Sequence, residues 1–411
     1  MMAIFVYGLG VTGESALRFY ETRGIKTYYY TDQGQDAKNS FATKVESMDE
    51  IVWEELDYVL KSPGIRQDTP FLLEARKHRL PIYSDLEIAY RYLDKEKIIA
   101  ITGTNGKTTT VSLLTHILQE CGYQAKACGN IGYPVLSCLD EDLDYLVLEA
   151  SSFQLSSVED FAPHRAAILN IQPDHLEWHS NMEEYIQAKF AIAKKQTKED
   201  LIFLNPRDEI TKSGFFMGQI HWVDFSNKIK SQLFGKHNEE NIAFAYDIAR
   251  SLGLEDEKIR KAILSFKAVA HRLEPVGEVC DVLYINDSKA TNIDATVKAM
   301  EAMKRSYHLI CGGYDKHLDF KPLMEAFQGK SLILLGETKK KLREKAEEFS
   351  LQSMTFSVED LEEAVFLAFE RAKKGEIVLF SPACASWDMY PNFEVRGQHF
   401  KDLVKRLGVK Q

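Results

Sequence analysis

The stretch Gly-Thr-Asn-Gly-Lys-Thr-Thr at residues 103–109 decides the fold of the middle of this chain. The apolar run 98–102 precedes it and predicts a buried β-strand, and apolar residues then recur at helical spacing until Gly122. A strand, a glycine-rich loop and a helix in this order typically bind phosphates, because the loop N–H groups and the positive end of the helix dipole face the anion. In such a loop Lys107 reaches the β- and γ-phosphates, and the Thr108 hydroxyl can bind Mg²⁺.

Length and composition describe a multidomain protein. The 411 residues are too many for one hydrophobic core, and the 45% apolar share can fill two or three. A formal net charge of −10 argues against a nucleic-acid partner, which requires a basic face. No apolar run approaches the ~18 residues of a membrane helix, and no secretion signal is evident at the N-terminus. We therefore expect a cytoplasmic protein with no membrane partner, whose six cysteines are reduced and mostly buried.

A second glycine-rich turn lies near the N-terminus. The strand 3–7 leads to Gly-Leu-Gly-Val-Thr-Gly at 8–13 and then to a helix, and Asp32 follows about 20 residues later at the end of another strand. Read alone, this pattern indicates a nicotinamide cofactor, but the same helix N-terminus can hold a nucleotide sugar. A further strand runs into Ser-Pro-Gly-Ile at 62–65, at a strand end where ligands of α/β sheets collect. A nicotinamide cofactor, a nucleotide sugar and a purely structural loop all remain open.

Polar residues follow several predicted strands of the central segment. Glu149 ends an apolar strand, where a Mg²⁺ ligand is needed near a nucleotide, although a solvated carboxylate is the alternative. Asn130 lies in a glycine-punctuated loop that could be a plain turn. His175 follows the strand 166–169 and is expected on the same side of the sheet as Lys107.

Two helices follow these strands. The helix predicted over 182–194 carries Lys189, which on an exposed face would be an ordinary solvated charge. Residues 211–230 are predicted to be irregular. A second helix then opens with Asn238 and Asn241 one turn apart, so that both amides can face one point or act as simple caps.

The last third of the chain predicts another α/β layer structure. Strands over 309–311, 332–335 and 377–380 alternate with helical segments. A strand over 282–285 ends in Asn-Asp-Ser-Lys-Ala-Thr-Asn, and His-Arg at 271–272 precedes it. Taken singly, the arginine and lysine of these stretches could be ordinary surface charges.

Taken in order, these motifs resemble those of the Mur ligases and their folylpolyglutamate synthase relatives, which join an amine to a carboxylate at the expense of ATP. The phosphate loop has two residues between its glycines, as in that family, where the general nucleotide-binding pattern has four. Glu-Ala-Ser-Ser-Phe-Gln-Leu at 149–155 resembles the D-glutamate-adding branch. Ser-Pro-Ala-Cys-Ala-Ser-Trp-Asp at 381–388, with Asn-Phe-Glu-Val-Arg-Gly after it, resembles the same branch.

The resemblance implies an α/β protein of three domains. It implies a Rossmann-like domain over 1–92 for the UDP-muramoyl substrate, a central P-loop ATPase domain with a mostly parallel sheet over 93–270, and a Rossmann-like domain over 271–411 for the amino acid. The implied reaction adds D-glutamate to UDP-N-acetylmuramoyl-L-alanine through an acyl phosphate, with ATP and two Mg²⁺ ions. We expect a monomer.

The resemblance also assigns roles to individual residues. The implied catalytic residues are Lys107, His175, Lys189 and Arg272. The implied ATP contacts are Gly103, Thr104, Asn105, Gly106, Lys107, Thr108, Thr109, Asn238, Asn241, Arg272, Asp287 and Lys289. The implied metal ligands are Thr108, Glu149, His175 and Lys189. The implied contacts of the nucleotide sugar and amino acid are Gly10, Val11, Thr12, Asp32, Ser62, Gly64, Asn130, His175, Thr291, Lys316, Ser386 and Phe393.

The resemblance bears in particular on Lys189 and on the residue after Asp32. In many relatives the lysine at the position of Lys189 reacts with CO₂, and the resulting carbamate helps to hold the second Mg²⁺. Carbamate formation requires the neutral amine, so burial or a neighbouring positive charge would favour it. The D-glutamate branch often has an arginine just after the acid of the second strand, whereas Gln33 follows Asp32 here.

A nicotinamide oxidoreductase and a non-catalytic precursor-binding protein are the alternatives from other functional classes.

Overall fold

The structure is a computed structural model of the 411-residue chain, and it describes residues 3–32, 34, 36–38, 41–130, 133–316 and 318–409. The segment after Asp32 and the glycine-punctuated loop at 128–134 lie partly outside the described residues. The chain forms two compact units, Met1–Ile229 with Asn241–Ile263 and Lys230–Glu240 with Leu264–Gln411. Among the described residues, no helix combines the length and the apolar character that crossing a bilayer requires.

The first sheet of unit 1 is entirely parallel, with strand order β3-β2-β1-β4-β5. Its strands alternate with helices in chain order: β1 (Ala3–Tyr7), α1 (Val11–Glu21), β2 (Thr27–Tyr30), β3 (Thr43–Lys44), β4 (Leu56–Lys61), α2 (Pro70–Lys77), β5 (Ile82–Tyr83) and α3 (Asp85–Tyr92). Helix α2 begins at a polar cap, where the Thr69 hydroxyl accepts from the Leu72 N–H and Pro70 occupies the first turn. The strand order reverses beside β1, and ligands of such sheets bind at that point.

The second sheet of unit 1 is also entirely parallel, in the order β11-β10-β9-β6-β8-β7. Its elements are β6 (Ile98–Thr102), α4 (Lys107–Glu120), β7 (Ala125–Gly129), β8 (Tyr145–Glu149), α5 (Ser152–Leu155), β9 (Arg165–Ile168), α6 (Met182–Phe190), β10 (Leu201–Leu204), α7 (Glu209–Ser213), β11 (Gln219–Trp222), α8 (Lys236–Ser251) and α9 (Asp256–Ser265). Central strand β6 is wholly buried, as its apolar run predicts. The prediction that residues 211–230 are irregular is wrong at 211–213, which end α7, and at 219–222, where β11 pairs with β10 as a short exposed edge strand.

Unit 2 holds the third sheet, in the order β12-β13-β17-β14-β15-β16. Its elements are β12 (Glu274–Val279), β13 (Val282–Asn286), α10 (Ile293–Glu301), β14 (Tyr307–Gly312), α11 (Lys321–Ala326), β15 (Ser331–Leu335), α12 (Lys339–Glu348), β16 (Thr355–Ser357), α13 (Leu361–Arg371), β17 (Ile377–Phe380) and α14 (Phe393–Val409). Only β12 runs antiparallel to its neighbour among these described strands. The α/β class and the mostly parallel central sheet are confirmed, and the domain bounds at 92 and 270 stay predictions.

Candidate active site

The predicted phosphate loop connects β6 directly to α4. Gly106 is the residue before the helix and has φ 88°, a left-handed conformation that favours glycine. A Cβ there would overlap the side chain of Asn241, so this residue of α8 lies against the loop. The Lys107 ammonium folds back over the loop and donates to the carbonyls of Gly103 (2.8 Å) and Thr104 (3.0 Å). The loop therefore joins the predicted strand to the predicted helix and holds the Lys107 ammonium against its own carbonyls.

Neighbouring elements hold the loop in place. The Asn105 N–H donates to the Asn170 side chain at 2.9 Å, and that side chain donates back to the Asn105 carbonyl at 3.1 Å. The Thr104 hydroxyl lies 2.9 Å from the Tyr185 hydroxyl and accepts from the Gln172 N–H at 3.0 Å. Sequence reasoning gave no role to Tyr185, because an aromatic residue on an amphipathic helix ordinarily indicates core packing.

A buried carboxylate lies beside the first turn of α4. The Thr108 hydroxyl donates to one oxygen of Glu149 (2.8 Å), and the Asn130 amide donates to the other (2.9 Å). Glu149 is only 2% exposed, so the solvated alternative is excluded. Three predicted residues from the ends of separate elements thus converge on one point. Thr109 follows Thr108 in the first turn of α4 and is also buried.

This donor set fits Mg²⁺. A carboxylate and a hydroxyl are the hard oxygen ligands that Mg²⁺ prefers, and both lie beside the predicted phosphate site. Within the described residues, no group of three His, Cys, Asp or Glu side chains could hold a metal ion by itself. Mg²⁺ at phosphate sites usually has one or two protein ligands and takes the others from phosphates and water. The arrangement therefore suits an ion that arrives with a nucleotide.

Lys189 is buried against the same loop, so it is not a solvated surface charge. Its side chain is 2% exposed, its Nζ donates to the Gly103 carbonyl at 2.9 Å, and it lies 4.6 Å from the centre of the Tyr185 ring. Burial lowers the pKa of Lys189 well below the usual lysine value, and the positive charge of Lys107 lowers it further. The negative charges of Asp174 and Glu149 oppose this by raising the pKa. These conditions favour the neutral amine over the ammonium form.

His175 lies in the same electrostatic environment. It has φ 54° and is held in this turn by the bond from its own N–H to the Asp174 carboxylate at 2.9 Å. Desolvation lowers the pKa of the imidazole, Asp174 and Glu177 raise it, and Lys107 and Lys189 lower it further. The neutral ring is therefore favoured, which is the form that binds metals. His179 is instead buried, with its Nε2 3.0 Å from the Ser152 hydroxyl.

The residues predicted to contact the nucleotide sugar in the first sheet line its carboxyl edge. Gly10 caps α1, and Val11 after it is 73% exposed, with Thr12 next in the same turn. The Ser62 hydroxyl donates to the Gly8 carbonyl at 2.9 Å and so ties the turn after β4 to the turn after β1.

Two further residues of this set also lie at that edge. Asp32 accepts from the Tyr7 hydroxyl at 2.9 Å, and Gly64 accepts at its carbonyl from the Trp178 indole at 3.2 Å. The six predicted contacts are therefore brought to one edge.

Two charged residues that the sequence singles out, Asp287 and Lys289, lie in the segment that follows β13. Asp287 is buried and accepts from the Leu273 N–H (3.1 Å) and the Ser381 hydroxyl (2.7 Å). Burial raises the pKa of Asp287 to about 7, although Ser381, the Leu273 N–H and Arg272 oppose the rise. Lys289 lies with its ammonium 3.8 Å from the centre of the Phe393 ring.

The predicted amino-acid contacts occupy neighbouring loops of unit 2. Lys316 lies 4.9 Å from the centre of the Trp387 ring. Ser386 is buried and its carbonyl accepts from the Tyr390 N–H at 2.7 Å. Thr291 directly precedes the Asn292 cap of α10. The Asn238 amide donates to the Phe234 carbonyl at 2.6 Å, so it has at least one local contact.

Arg396 belongs to the Asn-Phe-Glu-Val-Arg-Gly motif, and the sequence alone assigns it no role. It is 1% exposed and donates to the carbonyls of Ser288, Cys384 and Ala385 at 2.8–3.1 Å. It therefore joins the loops after β13 and β17. Its position within the Asn-Phe-Glu-Val-Arg-Gly motif was the available signal.

Two family models and several known proteins match this chain. The Mur ligase middle domain model matches residues 101–225, and the model "Mur ligase, glutamate ligase domain" matches 271–384. The UDP-N-acetylmuramoylalanine–D-glutamate ligase of Clostridioides difficile is 37% identical over 98% of both chains. The ligase of the same name from Alkaliphilus oremlandii is 41% identical over 86% of this chain and 84% of its own.

Solved structures share the fold at lower identity. The UDP-N-acetylmuramate–alanine ligase MurC of Thermotoga maritima has a TM-score of 0.64 at 19% identity and covers 100% of both chains. The MurF ligase of the same organism, solved in complex with ADP, has a TM-score of 0.63 at 16% identity, with 99% of this chain and 95% of that one covered. The chain belongs to the Mur ligase family of ATP-dependent ligases.

Proposed function

We propose that this protein joins D-glutamate to the alanine carboxylate of UDP-N-acetylmuramoyl-L-alanine, with conversion of ATP to ADP and phosphate, as a cytoplasmic step of peptidoglycan synthesis. The observation that carries the proposal is the convergence of Lys107, Thr108, Glu149 and Lys189 on one phosphate loop. The relatives that bear the name of this activity supply the acceptor and the amino acid.

The chemistry requires activation of the carboxylate. A carboxylate does not react with an amine at neutral pH, because oxide would have to leave. A carboxylate oxygen of the alanine attacks the γ-phosphorus of ATP. The bond from the γ-phosphorus to the oxygen that bridges it to the β-phosphorus breaks, and ADP leaves with that electron pair. The D-glutamate amine then attacks the carbonyl carbon of the acyl phosphate, the C–O bond breaks, and phosphate leaves as the amine loses a proton.

The residues of the loop carry out positioning and charge stabilisation. The loop N–H groups and the Lys107 ammonium stabilise the charge that redistributes over the phosphate oxygens. Thr108 and Glu149 would hold one Mg²⁺, and His175 with the carbamate of Lys189 would hold a second. Bound there, the metal supplies positive charge that offsets repulsion between the carboxylate and the phosphates. A carbamate at Lys189 would also place a negative charge beside the Lys107 ammonium, which favours its formation.

The remaining assignments extend this proposal to the other ligands. Gly10, Val11, Thr12, Asp32, Ser62 and Gly64 would contact the UDP part of the nucleotide sugar. Asn130 and His175 would also contact substrate. Thr291, Lys316, Ser386 and the Phe393 backbone would bind D-glutamate. Asn238, Asn241, Arg272, Asp287 and Lys289 would contact ATP. We propose a monomer with domains over 1–92, 93–270 and 271–411.

Phosphate release from Mg²⁺-ATP tests the proposed reaction. The purified protein is mixed with UDP-N-acetylmuramoyl-L-alanine and, in separate reactions, D-glutamate, L-glutamate, L-alanine or a diamino acid. We expect release that depends on D-glutamate alone. Release with another amino acid would retain the ATP chemistry and overturn the assignment to the D-glutamate branch. No release with any of them would favour a non-catalytic precursor-binding protein.

A further inference from the structure

A buried cation lies beneath the turn that follows β4. Lys61, the last residue of that strand, is 0% exposed, and its ammonium donates to the carbonyls of Ser62 (3.3 Å), Pro63 (3.3 Å) and Ile65 (2.9 Å). It also lies 5.4 Å from the centre of the Trp178 ring. A lysine is rarely buried this completely, because its charge loses hydration on burial. Because three carbonyl groups point at this one ammonium, the backbone of the turn is arranged to hold the buried charge.

The cation fixes the direction of the peptide groups in the turn. In a planar trans peptide the carbonyl and the N–H point to opposite sides. Because the Pro63 and Ile65 carbonyls point at Lys61, the N–H groups of Gly64 and Arg66 point away from it. Both of these residues are exposed. The turn therefore presents peptide N–H groups outward over a buried positive charge, which is the arrangement that binds anions.

The turn is also fixed from its other side. The Trp178 indole donates to the Gly64 carbonyl at 3.2 Å, and an Arg66 guanidinium N–H donates to the Glu177 carbonyl. Trp178 in turn packs on Phe153, whose ring lies 4.9 Å from that of His175. The turn is thereby joined to the segment that carries a candidate metal ligand.

We propose that Lys61 is a positioning residue for the diphosphate of the nucleotide-sugar substrate, holding the turn at 62–65 with its N–H groups toward the phosphates. This inference rests on the proposed function for the identity of the ligand. It assigns Lys61 no contact with substrate, since three protein carbonyls already accept from its ammonium. It predicts that loss of the charge weakens binding of the nucleotide sugar and leaves ATP binding intact.

Calorimetric binding of UDP-N-acetylmuramoyl-L-alanine to Lys61→Met provides the test. Methionine retains the apolar stem and removes the ammonium. We expect Kd and KM for the nucleotide sugar to rise by about tenfold or more, which corresponds to about 1.4 kcal/mol, while KM for ATP stays within about twofold. Lys77→Met, on the exposed face of α2, is the matched control, and it should change neither constant.

The pH dependence of nucleotide-sugar binding provides a second measurement. It uses the wild-type protein, so it does not depend on whether Lys61→Met folds. Burial lowers the pKa of Lys61 to about 7, with Asp85 opposing the shift and Arg76 adding to it. The affinity for the nucleotide sugar should therefore fall as pH rises through 7, since the neutral amine no longer polarises the turn. A Kd that is flat from pH 6 to 8.5, or a folded Lys61→Met protein that binds as tightly as wild type, would overturn the proposal alone. A wild type that does not bind the nucleotide sugar at all would remove the proposed substrate as well.

Discussion

Replacement of Glu149 by glutamine separates the charge of this side chain from its shape. In the wild type its two oxygens accept from Thr108 at 2.8 Å and Asn130 at 2.9 Å. A glutamine can keep both contacts, because its oxygen can accept from Asn130 while its amide donates to the Thr108 hydroxyl. The exchange removes only the buried negative charge.

The structure sets the expected size of the effect. Replacing two hydrogen bonds to a charged acceptor by neutral ones costs about 1–2 kcal/mol each, and removal of a buried charge offsets much of that cost. We therefore expect the unfolding free energy of Glu149→Gln to stay within about 2 kcal/mol of wild type. The joining reaction depends on the negative charge of Glu149, because this carboxylate would hold Mg²⁺ beside the phosphates. Turnover should therefore fall by about 10²–10³-fold.

Coupled phosphate-release kinetics and thermal melting together measure both quantities. Glu183→Gln, a solvent-exposed glutamate on α6, is the matched control and should retain wild-type turnover. A folded Glu149→Gln protein whose turnover stays within about twofold of wild type would refute the assignment of Glu149 to the metal. Higher Mg²⁺ concentration should recover part of the lost activity, because the neutral amide oxygen remains a weak ligand.

Three further predictions concern other charged groups. Lys107→Ala should abolish phosphate release with all substrates present, and near-normal turnover would contradict the phosphate-loop assignment. Lys189→Ala should lose activity and recover part of it with added acetate or propionate, which restore a carboxylate where the carbamate would lie; an unimpaired variant would remove its proposed role. The pKa of Asp287 is about 7 in the folded state and about 4 in the unfolded state. Between these pH values the folded state keeps a proton that the unfolded state has lost. The contribution of Asp287 to the unfolding free energy therefore falls by about 4 kcal/mol as pH rises from about 4 to about 7. Chemical denaturation at pH 5 and pH 8 should therefore show Asp287→Asn gaining stability relative to wild type, and an unchanged difference would contradict the raised pKa.

The sequence predicts best those elements whose signal is local. The strand at 98–102 and the helix after the phosphate loop follow from one apolar run and one motif, and both are confirmed. Strand β11 lacks such a signal, because its four residues are all exposed and only pairing with β10 makes them a strand. Strand β12 contains Pro275 and Gly277 and is formed by antiparallel pairing with β13, which composition does not reveal.

The same division applies to the candidate site. Lys107, Thr108 and Glu149 lie at motif positions or strand ends, so their convergence could be expected from the sheet. Lys61 ends an ordinary strand, and its burial depends on a turn and on Trp178, far away in the chain. Burial of a charged side chain is a tertiary property, and for that reason Lys61 was missed.

Transfer of oxygen-18 from the substrate carboxylate tests the central claim most directly. UDP-N-acetylmuramoyl-L-alanine labelled in both oxygens of its alanine carboxylate is incubated with Mg²⁺-ATP, D-glutamate and the protein, and the released phosphate is analysed by mass spectrometry. Activation through an acyl phosphate predicts one labelled oxygen in each released phosphate, with the other retained in the new amide. Phosphate released without label would contradict the account, because it would show that ATP is cleaved without reaction at the carboxylate.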